Sequence, residues 1–84
     1  MYYTYVLRSL PDRKLYVGYT KDLQRRFSEH QHGQSDATAP RRPFELLFYE
    51  AFQHSADAKR REMYFKSTKG RRAMHLMLRD SLSL

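Results

Sequence analysis

A chain of 84 residues with a formal net charge of +7 has room for one small domain, and none for a separate substrate-binding domain. The lack of cysteine excludes disulfides and thiolate metal sites. Apolar runs are too short for a membrane span, and the chain begins directly on a strand-like pattern with no visible leader, so no membrane contact and a cytoplasmic location are expected.

Residues 2–8 alternate as a strand, with Tyr3, Tyr5 and Leu7 on one face and Tyr2, Thr4 and Val6 on the other. Ser9-Leu10-Pro11-Asp12-Arg13 supplies turn chemistry. Residues 14–20 return as a second strand, which makes a hairpin. Tyr16 and Gly18 share a face there, and the glycine leaves room for a close approach. Asp22 suits the N-cap of a helix in which Leu23, Arg26, Phe27 and His30 fall on one face. His32-Gly33 ends it, and residues 34–43 form a loop carrying Pro40, Arg41, Arg42 and Pro43. Residues 44–52 read as a third strand, apolar on both faces and therefore central or well covered. Ser55 is placed to cap a helix over residues 56–68, Gly70 punctuates it, and a short helix follows over 71–79. Met74, Met77 and Leu78 are its packing residues. The order ββαβαα predicts an α+β domain over residues 1–84, a small three-stranded antiparallel sheet flanked by helices.

The charge is local. Residues 59–72 hold seven basic side chains (Lys59, Arg60, Arg61, Lys66, Lys69, Arg71 and Arg72) against one acid, Glu62. Such a patch suits an anionic partner, although charge alone names none and a solvated helix face is the plainer reading.

Five side chains invite chemistry. Taken singly, Tyr5 and Tyr16 are ordinary core aromatics, Arg26 and His30 flank an apolar helix face, and Glu62 pairs with a nearby base. Taken together, two phenols, a guanidinium, an imidazole and a carboxylate are the parts for metal-assisted phosphodiester cleavage. Glu62 shares a helix face with Ala58 and Phe65, and a lone carboxylate on a phosphate-attracting surface suits Mg²⁺. Other chemistries fit poorly: no glycine-rich phosphate loop or HExxH is present, and His30, His32, His54 and His75 lack zinc spacing.

Tyr3-Thr4-Tyr5, Tyr16-Val17-Gly18, the helix string from Lys21 to His30 and the later Glu62 together resemble the GIY-YIG nuclease domain, over nearly the whole chain. The likeness is greatest to its small single-domain bacterial members of uncharacterised type, whose features Arg41-Arg42-Pro43 and the run from Lys66 to Arg72 resemble. The chain departs from the pattern in two places. Tyr3 and Thr4 replace the glycine and isoleucine of the first half-motif, and the chain has no asparagine where many members use one near the end of the domain.

The resemblance implies a metal-dependent endonuclease acting on DNA with little sequence specificity. A catalytically weak nucleic-acid-binding module on the same fold is the alternative. In the first case Glu62 holds Mg²⁺ (or Mn²⁺) and Arg26 neutralises charge on the phosphate. Tyr5 takes the proton of the attacking water, with Tyr16 as orienting partner or alternative base. Arg26 and the metal are expected to lower the phenol below its free value near ~10. His30 orients a tyrosine or contacts phosphate. Lys21, Arg25, Arg41, Arg42, Lys69, Arg71 and Arg72 are expected to contact the backbone.

Overall fold

The alternation in the first two segments closes into a hairpin in the computed structural model, which describes residues 1–83. Strand β1 (Tyr2–Ser9) pairs antiparallel with β2 (Leu15–Thr20), placing Tyr5 opposite Gly18 and Leu7 opposite Tyr16. Arg13 closes the turn with a positive φ of 61°. Helix α1 (Leu23–Gln31) begins where Asp22 accepts a hydrogen bond from the Arg25 amide at 3.1 Å, satisfying one of the free donors of the first turn.

Strand β3 (Phe44–Phe52) pairs with the other side of β1, so the sheet order is β2-β1-β3. The central strand is therefore β1. The expectation that the third segment is central or well covered is wrong: β3 is an edge strand and mostly half-exposed. Its two-faced apolar pattern has another cause. The β1–β3 register slips between Val6 and Leu7, so Val6 faces Phe48 while Leu7 faces Leu46. Leu47 is the extra residue of a bulge, and it packs with Phe48 on one side of the sheet while Leu46 packs on the other.

Helix α2 (Ser55–Lys66) is N-capped by His54 without a side-chain bond, so Ser55 is its first residue rather than its cap. The chain breaks at Ser67, not at Gly70. Ser67 caps α3 (Thr68–Met77), and its hydroxyl accepts from the Gly70 amide at 3.0 Å. Gly70 lies in the first turn of α3 because the two helices meet there: a Cβ would sit 1.7 Å from the Tyr64 carbonyl oxygen. A last turn, α4 (Arg79–Leu82), follows.

The helices cover opposite faces of the sheet. Val6 and Val17 pack with Phe65, Met74 and Leu78 from α2 and the segment after it, while Met77 is exposed. On the other face Tyr5, Leu7 and Phe44 pack with Tyr16, Leu23, Phe27 and Leu46. Thr4 ties α2 to the sheet, its buried hydroxyl donating to the Ala58 carbonyl at 2.6 Å. Among the described residues no helix is long and apolar enough to cross a membrane.

Candidate active site

The α1 face carries the chemistry, and Gly18 explains how it is arranged. Tyr5 stands opposite Gly18, and a Cβ there would fall 2.3 Å from the Tyr5 hydroxyl and ring. With no side chain in the way, the ring lies across β2 towards the open edge of the sheet. Tyr16 reaches the same place two residues earlier, its ring centroid 6.4 Å from that of Tyr5. His30 completes the aromatic group, with its ring edge-on to Tyr16 at 5.1 Å.

Tyr5 is 1% exposed and His30 not at all, and the Tyr5 hydroxyl lies 2.9 Å from His30 Nε2. The other ring nitrogen, Nδ1, lies 2.8 Å from the hydroxyl of Thr38, which is also buried. Burial, followed by the nearby Arg26 charge, pushes the imidazole down to about 4, so His30 is neutral at physiological pH.

The Arg26 guanidinium lies beside the Tyr5 phenol, where its charge favours the ionised form. Its guanidinium is held from the other side by Glu29 at 2.9 Å. This pairing holds the Glu29 carboxyl below its usual range and raises the already high value of Arg26.

The expected lowering of the Tyr5 phenol is reversed. Arg26 does act downward, but burial outweighs it, Tyr16 and Glu62 add to the rise, and Tyr5 is pushed up to about 12. Burial moves the phenol up and the imidazole down, so the proton stays on Tyr5 rather than passing to His30. Tyr5 is thus a poor proton acceptor, being buried and protonated. Tyr16 is half-buried and faces a cleft.

Glu62 comes to this group from α2. Ala58 and Phe65 on the same helical stripe are buried, which fixes its direction. Its charge acts on the Tyr5 phenol, and its carboxylate pairs with Lys66 at 3.0 Å. Among the described residues no three of His, Cys, Asp and Glu converge on one point. The donor set is therefore a single half-exposed carboxylate, which fits Mg²⁺, an ion that keeps several waters and takes substrate oxygens. It does not fit zinc.

Beside Tyr16 lies a cleft of ≈ 740 Å³. Leu15, Val17, Phe65 and Met74 are among its apolar residues, and Arg13, Lys14, Arg41, Lys66 and Arg71 supply its cations. Two of the seven cations expected to contact a nucleic-acid backbone, Arg41 and Arg71, line it. Arg41 pairs with Asp12 at 3.4 Å, yet its Nε and Nη2 are buried without a hydrogen-bond partner.

The other five lie elsewhere. Lys21 lines a separate depression with Tyr3 and Tyr49. Arg25 reaches Glu29 at 3.3 Å, and Arg42 donates to the Ala39 carbonyl at 3.1 Å. Lys69 and Arg72 are exposed on α3 and, among the described residues, make no ion pair. Much of the remaining basic window is already neutralised or stacked: Arg60 pairs with Asp57, Arg61 with Glu50, and Lys59 lies over the Tyr19 ring.

Sequence reasoning missed Glu29, Thr38, Lys14 and Lys66 as parts of this surroundings. Glu29 had a signal, its i, i+3 spacing to Arg26. Thr38 had none, because it sits in a polar loop with no periodicity.

The family model described as the GIY-YIG catalytic domain matches residues 1–76. A UPF0213 protein of Pediococcus pentosaceus is 36% identical over 84 residues, covering 99% of this chain and 87% of the relative. A UPF0213 protein of Bacillus pumilus is 42% identical over 67 residues, 79% of this chain and 67% of the relative. The solution NMR structure of a UPF0213 protein from Bacillus halodurans superposes with a TM-score of 0.57 at 34% identity, covering 92% of this chain and 83% of that one.

Proposed function

The chain belongs to the GIY-YIG family of nuclease domains, and on that premise we propose that it is a metal-dependent endonuclease hydrolysing phosphodiester bonds in DNA with little sequence preference. One observation carries the reading: Tyr5, Tyr16, Arg26, His30 and Glu62 come from four different elements to one edge of the sheet, beside a cationic cleft.

The roles follow from exposure and charge. Tyr16, the accessible tyrosine, first loses its proton to solvent, and Arg26 stands close enough to stabilise that phenolate. The phenolate then takes the proton of the attacking water and becomes a neutral phenol. Tyr5 is the buried orienting partner, held between Arg26 and His30. Arg26 also meets the negative charge that grows on the non-bridging phosphate oxygens. Glu62 would hold Mg²⁺ or Mn²⁺ with water and substrate phosphate, and the ion supplies polarisation of that phosphate. Lys14, Arg41 and Arg71 hold backbone phosphates along the cleft without reading bases. Lys21, Arg25, Arg42, Lys69 and Arg72 contribute a longer-range attraction.

A binding module without turnover is the second reading, and it draws on the absence of asparagine from the chain. The deciding experiment incubates purified protein with labelled single-strand, duplex and branched DNA, and with RNA, each with and without Mg²⁺. Cleavage that needs Mg²⁺ and is lost in Glu62→Ala, while binding persists, supports the nuclease. Binding without cleavage of any substrate supports the module. Equal cleavage by Glu62→Ala and wild type removes Glu62 from the metal.

A further inference from the structure

The loop between α1 and β3 sends one side chain into the centre of the site. Thr38 is 1% exposed, eight residues beyond His30, and its Oγ1 lies 2.8 Å from His30 Nδ1. It stands at the head of a short 3₁₀ turn (Ala39–Arg41), the turn that also presents Arg41 to the cleft. We infer that Thr38 is a positioning residue that fixes the tautomer of His30 and thereby aims the hydroxyl of Tyr5.

The direction of the hydrogen bonds follows from counting donors and acceptors. The Thr38 hydroxyl donates its one proton to the Ser35 carbonyl at 3.5 Å, so towards the imidazole its oxygen accepts. A neutral imidazole carries one proton, which therefore sits on Nδ1 and is donated to the Thr38 oxygen at 2.8 Å. Nε2 is then bare, and the Tyr5 hydroxyl at 2.9 Å donates to it.

The opposite tautomer leaves the Tyr5 proton without its acceptor at Nε2, deep in a buried site. An unsatisfied buried donor is costly. Thr38 sets the tautomer from the far side of the ring: with its own proton committed to Ser35, its oxygen can only accept from Nδ1–H, and a hydrocarbon in its place cannot. Fixing the ring also fixes Tyr5. The phenol proton is turned to His30 Nε2, which leaves the oxygen lone pairs for the neighbouring Arg26 charge.

The consequence for cleavage rests on the nuclease reading, but the tautomer does not. The test is ¹⁵N NMR of the His30 ring in wild type, Thr38→Val and Thr38→Ser, with cleavage kinetics of all three. Wild type and Thr38→Ser should show protonated Nδ1 and bare Nε2. Thr38→Val should shift towards the opposite or a mixed tautomer and lose about 10–100-fold in kcat with KM nearly unchanged, and Thr38→Ser should recover most of the rate. A wild-type ring protonated on Nε2 overturns the inference. So does Thr38→Val with the wild-type tautomer and rate. Should Thr38→Val fail to fold, the wild-type tautomer still decides. If no variant cleaves any substrate, the nuclease reading fails while the ring spectra continue to test Thr38.

Discussion

The two faces of β1 differ more than their shared strand suggests. Val6 faces α2 and α3 and meets Val17, Phe65, Met74 and Leu78, an apolar cluster with no ionisable member. One residue earlier, Tyr5 faces α1 and is tied through His30 to Thr38, with the Arg26 charge beside it. Both faces are well buried. The first is held by area removed from water, which tolerates changes of shape if volume is kept. The second is held by directed hydrogen bonds, which tolerate changes of volume poorly and changes of chemistry hardly at all. The cleft lies where the two faces meet at the β2 edge: Tyr16 reaches it from the second face, while Val17, Phe65 and Met74 line it from the first. A domain this small keeps its directed hydrogen bonds on one side of the sheet and draws the wall of its cleft, with Glu62, from the other.

Substitutions should tell the faces apart. The largest loss of stability is expected from Phe65→Ala, about 3–5 kcal/mol, since Phe65 is 1% exposed and joins both helices to the sheet. Urea unfolding measures it, and a loss below about 1 kcal/mol would mean that the apolar face is not the main support.

Acid should attack the other face. The His30 value of 6.5 in the unfolded chain falls to about 4 in the fold, so the unfolded state binds the extra proton between those values. Stability present above pH 6.5 should therefore fall by about 3 kcal/mol as pH drops through 4. His30→Gln should lose that part of the pH dependence while Phe65→Ala keeps it. Parallel urea midpoints across this range would show it.

Gly18→Ala sharpens the comparison further. The new methyl must displace the Tyr5 ring, at a cost of about 1–3 kcal/mol of stability. Cleavage should suffer more than folding, because the displaced phenol leaves Arg26 and His30. Unchanged activity would contradict the arrangement at the β2 edge.

The smallest structural effect belongs to α3. Lys69→Ala with Arg72→Ala should change stability by less than about 0.5 kcal/mol. Replacing Arg71, which lines the cleft, should weaken nucleic-acid binding more than that pair does, by fluorescence anisotropy at fixed salt. Equal weakening would spread the binding surface over all of α3.

Much of this was legible in the chain. Period two in residues 2–8 and period 3.6 from Leu23 to His30 fixed which residues share a face, and so brought Tyr5, Tyr16, Arg26 and His30 together. Glu62 followed from its stripe with Ala58 and Phe65. Strand order was not legible, because it depends on long-range pairing. The Leu47 bulge disguised an edge strand as a two-faced one. The balance between burial and Arg26 at Tyr5 was hidden for a similar reason. Desolvation is set by packing against α1 and by the gap at Gly18, and no local pattern reports how completely a ring is covered. Thr38 reaches His30 only through the path of a loop that has no period.

The central claim is that the accessible phenol on the polar face, not the buried one, takes the proton. It is tested by the initial rate of oligonucleotide cleavage in Mg²⁺ across pH for wild type, Tyr16→Phe and Tyr5→Phe, each first shown to be folded. Tyr16→Phe should lose about 10²–10⁴ in rate together with the rising limb of the pH profile. Tyr5→Phe should lose less and keep that limb. A Tyr16→Phe protein as fast as wild type, with the limb lost instead in Tyr5→Phe, would contradict the account.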